Sequence, residues 1–198
     1  MPRRPDPGME ERILNAAQKL WQKGGEKALT MRAIARIAGT NTPTVYRRFK
    51  SRHDIVFALV QRVQRDIIET LQSSRSPEET CMRYIEFASC HPHEYNLFYA
   101  HTKELRQSIR SRGHSGLWNS TPMVELIRKQ MAERLGGSVA EHTRLSLALW
   151  ALGHGTAMLL ISKGMPSEQV AALRSAFAAA LDTLVDRRIP VDSDLWLR

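Results

Sequence analysis

Apolar residues return along this chain at intervals of three and four and almost nowhere in strict alternation, which is the pattern of amphipathic helices. Ile13, Ala17, Leu20 and Trp21 form a first stripe, ended by Gly24 and Gly25. Met31, Ile34, Ala35 and Ala38 form a second, broken at Gly39 and Thr40, and a third short helix runs from about Asn41 to Phe49. Beyond Ser51, the residues Ile55, Leu59, Val63, Ile67 and Leu71 recur every fourth position as far as Gln72, a helix on the order of 30 Å long. Ser76-Pro77-Glu78-Glu79 has the form of a capping box with proline in the first turn. A fifth helix therefore starts there, turns Cys81, Tyr84, Ile85 and Ala88 inward, and breaks at His91-Pro92. A short aromatic helix with Tyr95, Leu97, Phe98 and Tyr99 follows, and residues 101–120 predict no definite element.

Thr121-Pro122 opens a seventh helix with Val124, Ile127, Met131 and Leu135 on one face, closed by Gly136 and Gly137. Ser138 and Glu141 read as a second capping box, opening a long helix to about Lys163. Ser167 caps a ninth, with Val170, Leu173, Phe177, Leu181 and Leu184 in a stripe flanked by alanines. From Leu145 onward the eighth helix is apolar nearly all round, so it must be covered on both sides. These last two helices carry more apolar surface than one body of this size uses, which predicts a helical dimer interface. The expected class is all-α, with about nine helices and no competing strand pattern or internal repeat.

Charge divides the chain more sharply than hydropathy does. Residues 1–52 hold twelve Lys/Arg against four Asp/Glu, so nearly all of the net charge of +9 sits in the first quarter. That is the electrostatic footprint of a nucleic-acid-binding segment on a neutral body. The predicted division is a DNA-binding head over residues 1–52 and a dimerisation body over residues 53–198. Two cysteines, Cys81 and Cys90, make no disulfide framework and fit a reducing compartment. The first twelve residues lack the apolar core of a signal peptide, and the apolar run over residues 145–161 is interrupted by Ser146, Gly153, His154, Gly155 and Thr156. The expected location is the cytoplasm, without a membrane partner.

Residues 30–50, TMRAIARIAGTNTPTVYRRFK, carry the chemistry. Two short helices about a tight turn form a helix-turn-helix. Thr30 and Asn41 are placed to cap the two helices, and Pro43 falls in a first turn, where its missing N–H leaves no bond unmade. Thr44, Tyr46, Arg47 and Arg48 then gather hydroxyl and guanidinium donors on about two turns, suited to phosphates and base edges. A solvated basic helix is the alternative reading of that cluster alone. Arg3 and Arg4 precede the first helix on a proline-rich arm, either entering a minor groove or remaining solvated.

The segments ILNAAQKLWQKGG, residues 13–25, and AGTNTPTVYRRFKSRHDI, residues 38–55, resemble the TetR family of transcriptional regulators. Further on, Trp150-Ala151-Leu152-Gly153-His154-Gly155 is similar to the Trp…His-Gly signature of one C-terminal regulatory domain in that family, and His91-Pro92-His93-Glu94-Tyr95 to the loop before its sixth helix. The resemblance implies a homodimer that places each third helix in a major groove of a near-palindromic operator, released by a small-molecule effector, and it adds a regulatory, ligand-binding role to the body over residues 53–198. It implies phosphate contacts by Thr30, Thr44, Tyr46 and Arg52, and base-edge or nearby backbone contacts by Thr42, Pro43 and Arg47. Three positions depart from the family pattern: Gly25 replaces an aromatic residue, Thr40 an apolar one, and Arg48 a histidine or aromatic.

Candidate effector-binding residues are Tyr84, Phe98, Trp118, Met123, Ile127, Met131, Trp150, His154 and Met158, all of which also suit a helical core. His154 between two glycines is either a ligand group or a buried hydrogen-bonding side chain. Cys90, His91, His93, Glu94 and His101 are of metal-ligand type but lack a recognisable spacing, so neither a metal nor a cofactor is expected. No phosphate loop, paired carboxylates or Ser/His/Asp arrangement is present, which argues against an enzyme. A DNA-binding architectural protein without an effector is the remaining alternative.

Overall fold

The computed structural model describes residues 6–102, 122–162 and 164–186, and among these it holds nine α-helices and no strand. They are α1 (Met9–Ala28), α2 (Met31–Ile37), α3 (Thr42–Arg48), α4 (Arg52–Gln72), α5 (Pro77–Cys90), α6 (Pro92–Ala100), α7 (Pro122–Leu135), α8 (Thr143–Leu160) and α9 (Ser167–Asp186). The all-α expectation is met. The chain forms two compact units, whose described parts are residues 6–66 with 93–102, and residues 67–92 with 122–162 and 164–186.

In the first unit, α1 buries Ile13, Leu14, Ala16, Ala17 and Leu20, and α2 packs on it through Ile34 and Ala35. The helical geometry of α1 is interrupted where the sequence predicts, at Gly24 and at Gly25, whose φ of 60° belongs to the left-handed region. A last turn then carries the chain to Ala28. The fourth helix is entered through reciprocal capping: the Ser51 N–H donates to Asp54 Oδ2 at 3.1 Å, and the Asp54 N–H donates to Ser51 Oγ at 3.2 Å. Tyr95, Leu97 and Phe98 of α6 are buried in this unit.

The second unit is a packed set of α5, α7, α8 and α9. Its interior holds Tyr84, Ile85, Met123, Ile127, Met131, Leu149, Phe177 and Leu181. Ser76 Oγ accepts the Glu79 N–H at 3.2 Å as predicted, while the Glu79 carboxylate reaches one residue further back, to the Arg75 N–H at 2.8 Å. The polar tie in this interior is Gln130, which accepts from the Thr80 hydroxyl at 2.9 Å and donates to the Ser74 carbonyl at 3.1 Å.

The eighth helix starts later than the sequence predicts. Ser138 Oγ donates to the Glu141 carboxylate at 2.7 Å instead of accepting its N–H, and two turns intervene before Thr143. Once its hydroxyl is committed to the carboxylate, Ser138 no longer caps, and His142 occupies the N-cap position. The helix ends at Leu160, with Ile161 as C-cap.

Candidate nucleic-acid interface

A seven-residue helix has too few internal hydrogen bonds to persist alone, so α3 must be held by its ends and by the residues it buries. Asn41 Oδ1 accepts the Thr44 N–H at 2.9 Å, and Pro43 sits in the first turn. Val45 is fully buried and Phe49 nearly so, which anchors one side. The turn before α3 is a Schellman motif: the Thr40 N–H bonds to the Ala35 carbonyl at 2.9 Å and the Gly39 N–H to that of Arg36 at 3.4 Å. Gly39 has φ 63°, which only glycine adopts without strain. α2 packs directly on α3 across this turn.

With one side anchored, the remaining positions of α3 face outward. Tyr46 is 51% exposed although it is a large aromatic residue, and Arg47 and Arg48 are exposed beside it. Arg47 Nη2 donates to Thr44 Oγ1 at 2.7 Å, which lays the guanidinium along the helix with its other N–H groups available. Thr42 and Thr44 are half-buried, and Pro43 is exposed. Thr30, the N-cap of α2, accepts the Ala33 N–H at 3.1 Å and keeps its own hydroxyl proton for a further acceptor. Thr30 and α3 belong to the same unit, as does Arg52 at the start of α4.

Two contacts were not legible in the sequence. Arg52 Nη2 lies 3.1 Å from Glu26 Oε1, so this cation meets a DNA phosphate only in competition with an internal carboxylate. Arg48 Nη2 donates to the Asp6 carbonyl at 3.1 Å, which ties α3 to the residues just ahead of α1. Asp6 also accepts from Arg12 and from the Gly8 N–H at 2.9 Å. The Arg12 hydrogen bond, followed by that of Gly8, holds its carboxyl below the usual carboxylate range.

The candidate effector residues are not all brought together. Tyr84, Met123, Ile127 and Met131 are buried in the second unit. Tyr84 and Met123 meet α8 at Gly153, where an added Cβ would lie 3.2 Å from Met123 Cε and 3.6 Å from Tyr84 Cδ1. Trp150 and His154 stack one turn apart on α8 with ring centroids 5.7 Å apart, and both are half-buried. Burial pushes the His154 pKa down. Met158 is 42% exposed, Phe98 is buried in the first unit, and Trp118 lies outside the described residues, as do Arg3 and Arg4. Among the described residues no three His, Cys, Asp or Glu side chains are grouped to hold a metal ion, and no helix is long and apolar enough to cross a membrane.

A family model described as bacterial regulatory proteins, tetR family, matches residues 13–59, and one described as the tetracyclin repressor-like C-terminal domain matches residues 77–184. No curated protein matches the chain. Among solved structures the fold is similar to that of a TetR-like transcriptional regulator from Rhodococcus sp. RHA1, 21% identical over 92% of this chain and 96% of that one, with a TM-score of 0.60. It is likewise similar to a TetR/AcrR-family regulator from Thermobifida fusca YX-ER1, 18% identical over 90% and 97%, TM-score 0.62. The TetR-family regulator PfmR from Thermus thermophilus is 18% identical over 88% and 97%, TM-score 0.55.

Proposed function

The chain belongs to the tetR family of bacterial regulatory proteins, DNA-binding transcription regulators rather than enzymes, and from that premise we propose that it is a homodimeric, effector-released repressor acting in the cytoplasm. The observation that carries the reading is the outward face of α3, where Thr44, Tyr46 and Arg47 stand exposed or half-exposed on a helix whose other side is anchored by Val45. Thr30, Thr44, Tyr46 and Arg52 contact phosphates, while Thr42, Pro43 and Arg47 read base edges or the adjoining backbone. Residues 1–52 do the reading, and residues 53–198 dimerise and take the effector.

Dimerisation through α8 and α9 is supported by the apolar surface these helices leave uncovered. Leu159 is 51% exposed, Met158 is exposed near it, and Ala171, Ala172, Ala176 and Ala179 of α9 are exposed and small enough for close helix approach. The effector is a small, largely apolar molecule taken among Tyr84, Met123, Ile127 and Met131, where methionines adapt to its shape, with Trp150 and His154 on the helix that passes them. Phe98, Trp118 and Met158 are not carried into that set.

The test is footprinting of the purified protein on the DNA upstream of its own gene, with a salt titration. Two-fold-symmetric protection with half-sites about 34–36 Å apart, and affinity falling steeply with salt, is the expected result. Protection that spreads without sequence preference would favour the architectural reading. Failure of any metabolite-sized compound to release the DNA would remove the effector from the account.

A further inference from the structure

Along α1, Glu11, Asn15, Gln18 and Gln22 follow at spacings of four, three and four, a polar stripe on one face of the helix. Arg62 of α4 meets the first three: its Nη1 donates to Asn15 Oδ1 at 2.7 Å and to Gln18 Oε1 at 3.2 Å, and its Nη2 to Glu11. Glu94 of α6 meets the last two, accepting from Gln18 Nε2 at 3.1 Å and from Gln22. Beside it, Trp21 Nε1 donates to the His93 carbonyl at 3.3 Å. The charges at the two ends are largely out of water, with the Arg62 side chain 12% exposed and Glu94 7%.

Gln18 therefore lies between a group that only donates and a group that only accepts. Its carbonyl faces the guanidinium and its amide NH2 faces the carboxylate. The reversed amide would oppose like partners on both sides, so one orientation survives. Both charges also stand close to the points where the chain crosses between the units. Arg62 is four residues before the exit at Asp66, and Glu94 is one residue after the return at His93.

We propose that Arg62, Gln18 and Glu94 form a polar relay in which Gln18 is the joint, fixing α1 against α4 and α6 and so holding the reading head in its DNA-binding arrangement. These are positioning residues that touch no DNA. α2 and α3 depend on the placing of α1 because they pack on it in series. The inference rests on the head's DNA binding.

The charge pattern can be inverted across the joint. In Gln18→Glu the new carboxylate still suits Arg62 but opposes Glu94. In the double variant Gln18→Glu with Glu94→Gln, an amide NH2 at 94 replaces the one oxygen that both glutamines meet; it donates one proton to the carboxylate at 18 and the other to Gln22, whose exposed amide turns to present its oxygen. Affinity for a duplex selected by the wild-type protein from a random pool, measured on folded protein well below its thermal transition, should fall about tenfold or more in Gln18→Glu and return to within about threefold in the double variant. Gln18→Met, which removes the joint at similar volume without introducing charge, should also lose about tenfold.

Amide hydrogen exchange of α2 and α3 should accelerate in both single variants and recover in the double, whether or not DNA is present. Unchanged affinity and exchange in Gln18→Met, or a Gln18→Glu defect that Glu94→Gln leaves in place, would overturn the relay. So would a loss of thermal stability alone. If the wild-type protein selects no sequence, the DNA-reading assignment fails, and the exchange pattern still decides the relay.

Discussion

The reading head and the packed set of α5, α7, α8 and α9 keep helices in place by different means. α2 and α3 have seven residues each, and their ends are tied by Thr30, Asn41 and the Gly39 turn. α5, α7, α8 and α9 run to 14, 14, 18 and 20 residues and are held by the side chains they bury. Fixing short helices by caps leaves their outward positions free for polar side chains, so chemistry and stability occupy different residues in the head. In the second unit the same buried side chains supply the stability and the candidate effector contacts, so neither can be altered without the other.

The largest expected effect lies in the second unit. Tyr84→Ala removes a fully buried aromatic ring and should destabilise the fold by about 3–5 kcal/mol in urea unfolding, while protein that remains folded keeps its DNA affinity. Tyr46→Ala should do the reverse. Its thermal midpoint stays near wild type, and binding weakens by a similar factor, about threefold to tenfold, on every DNA sequence. If Tyr46→Ala lowered the midpoint as Tyr84→Ala does, the separation of roles would collapse.

Asn41→Ala falls between the two regions' behaviour, because a cap fixes the helix that presents the chemistry. A loss of about 1 kcal/mol of stability, with a parallel drop in operator affinity, is expected. Gly39→Ala should destabilise by about 1–2 kcal/mol through its left-handed backbone alone, since an added Cβ meets nothing within 4 Å.

The smallest effects are in titration. Because burial lowers the folded-state pKa of His154, the unfolded chain takes up a proton that the folded chain resists, so stability declines as pH falls below about 6.5. His154→Asn should flatten that decline in denaturation curves taken at successive pH values. Cys81, its thiol pushed up to about 12 chiefly by burial, should resist a thiol reagent until unfolding, while exposed Cys90 reacts in the folded protein.

What the sequence makes legible follows the same division. Thr30, Asn41, Pro43 and Gly39 act on atoms within a few residues, so their roles can be read from spacing. Ser138 and Glu141 show the limit of that reasoning: the right residues stand at the right spacing, yet the hydroxyl chose the carboxylate over the backbone. The Ser51–Asp54 pair carried the same kind of signal and does cap. Glu94 reads in sequence as a metal-ligand type or part of a loop, but it is buried against Gln18 and Gln22, more than 70 residues earlier, which no local pattern encodes. The candidate effector residues scattered for a related reason, because helical spacing identifies inward faces without saying which interior each one enters.

The most direct test of the central claim, that the outward face of α3 reads DNA, is selection of duplexes from a random pool by the wild-type protein and by Arg47→Ala. A two-fold-symmetric motif should emerge for the wild type, and Arg47→Ala should return the same motif with preference relaxed at one position in each half-site, at a loss of about 1–3 kcal/mol in binding. Recovery of an identical motif at undiminished affinity by Arg47→Ala would contradict the docking of α3 set out above.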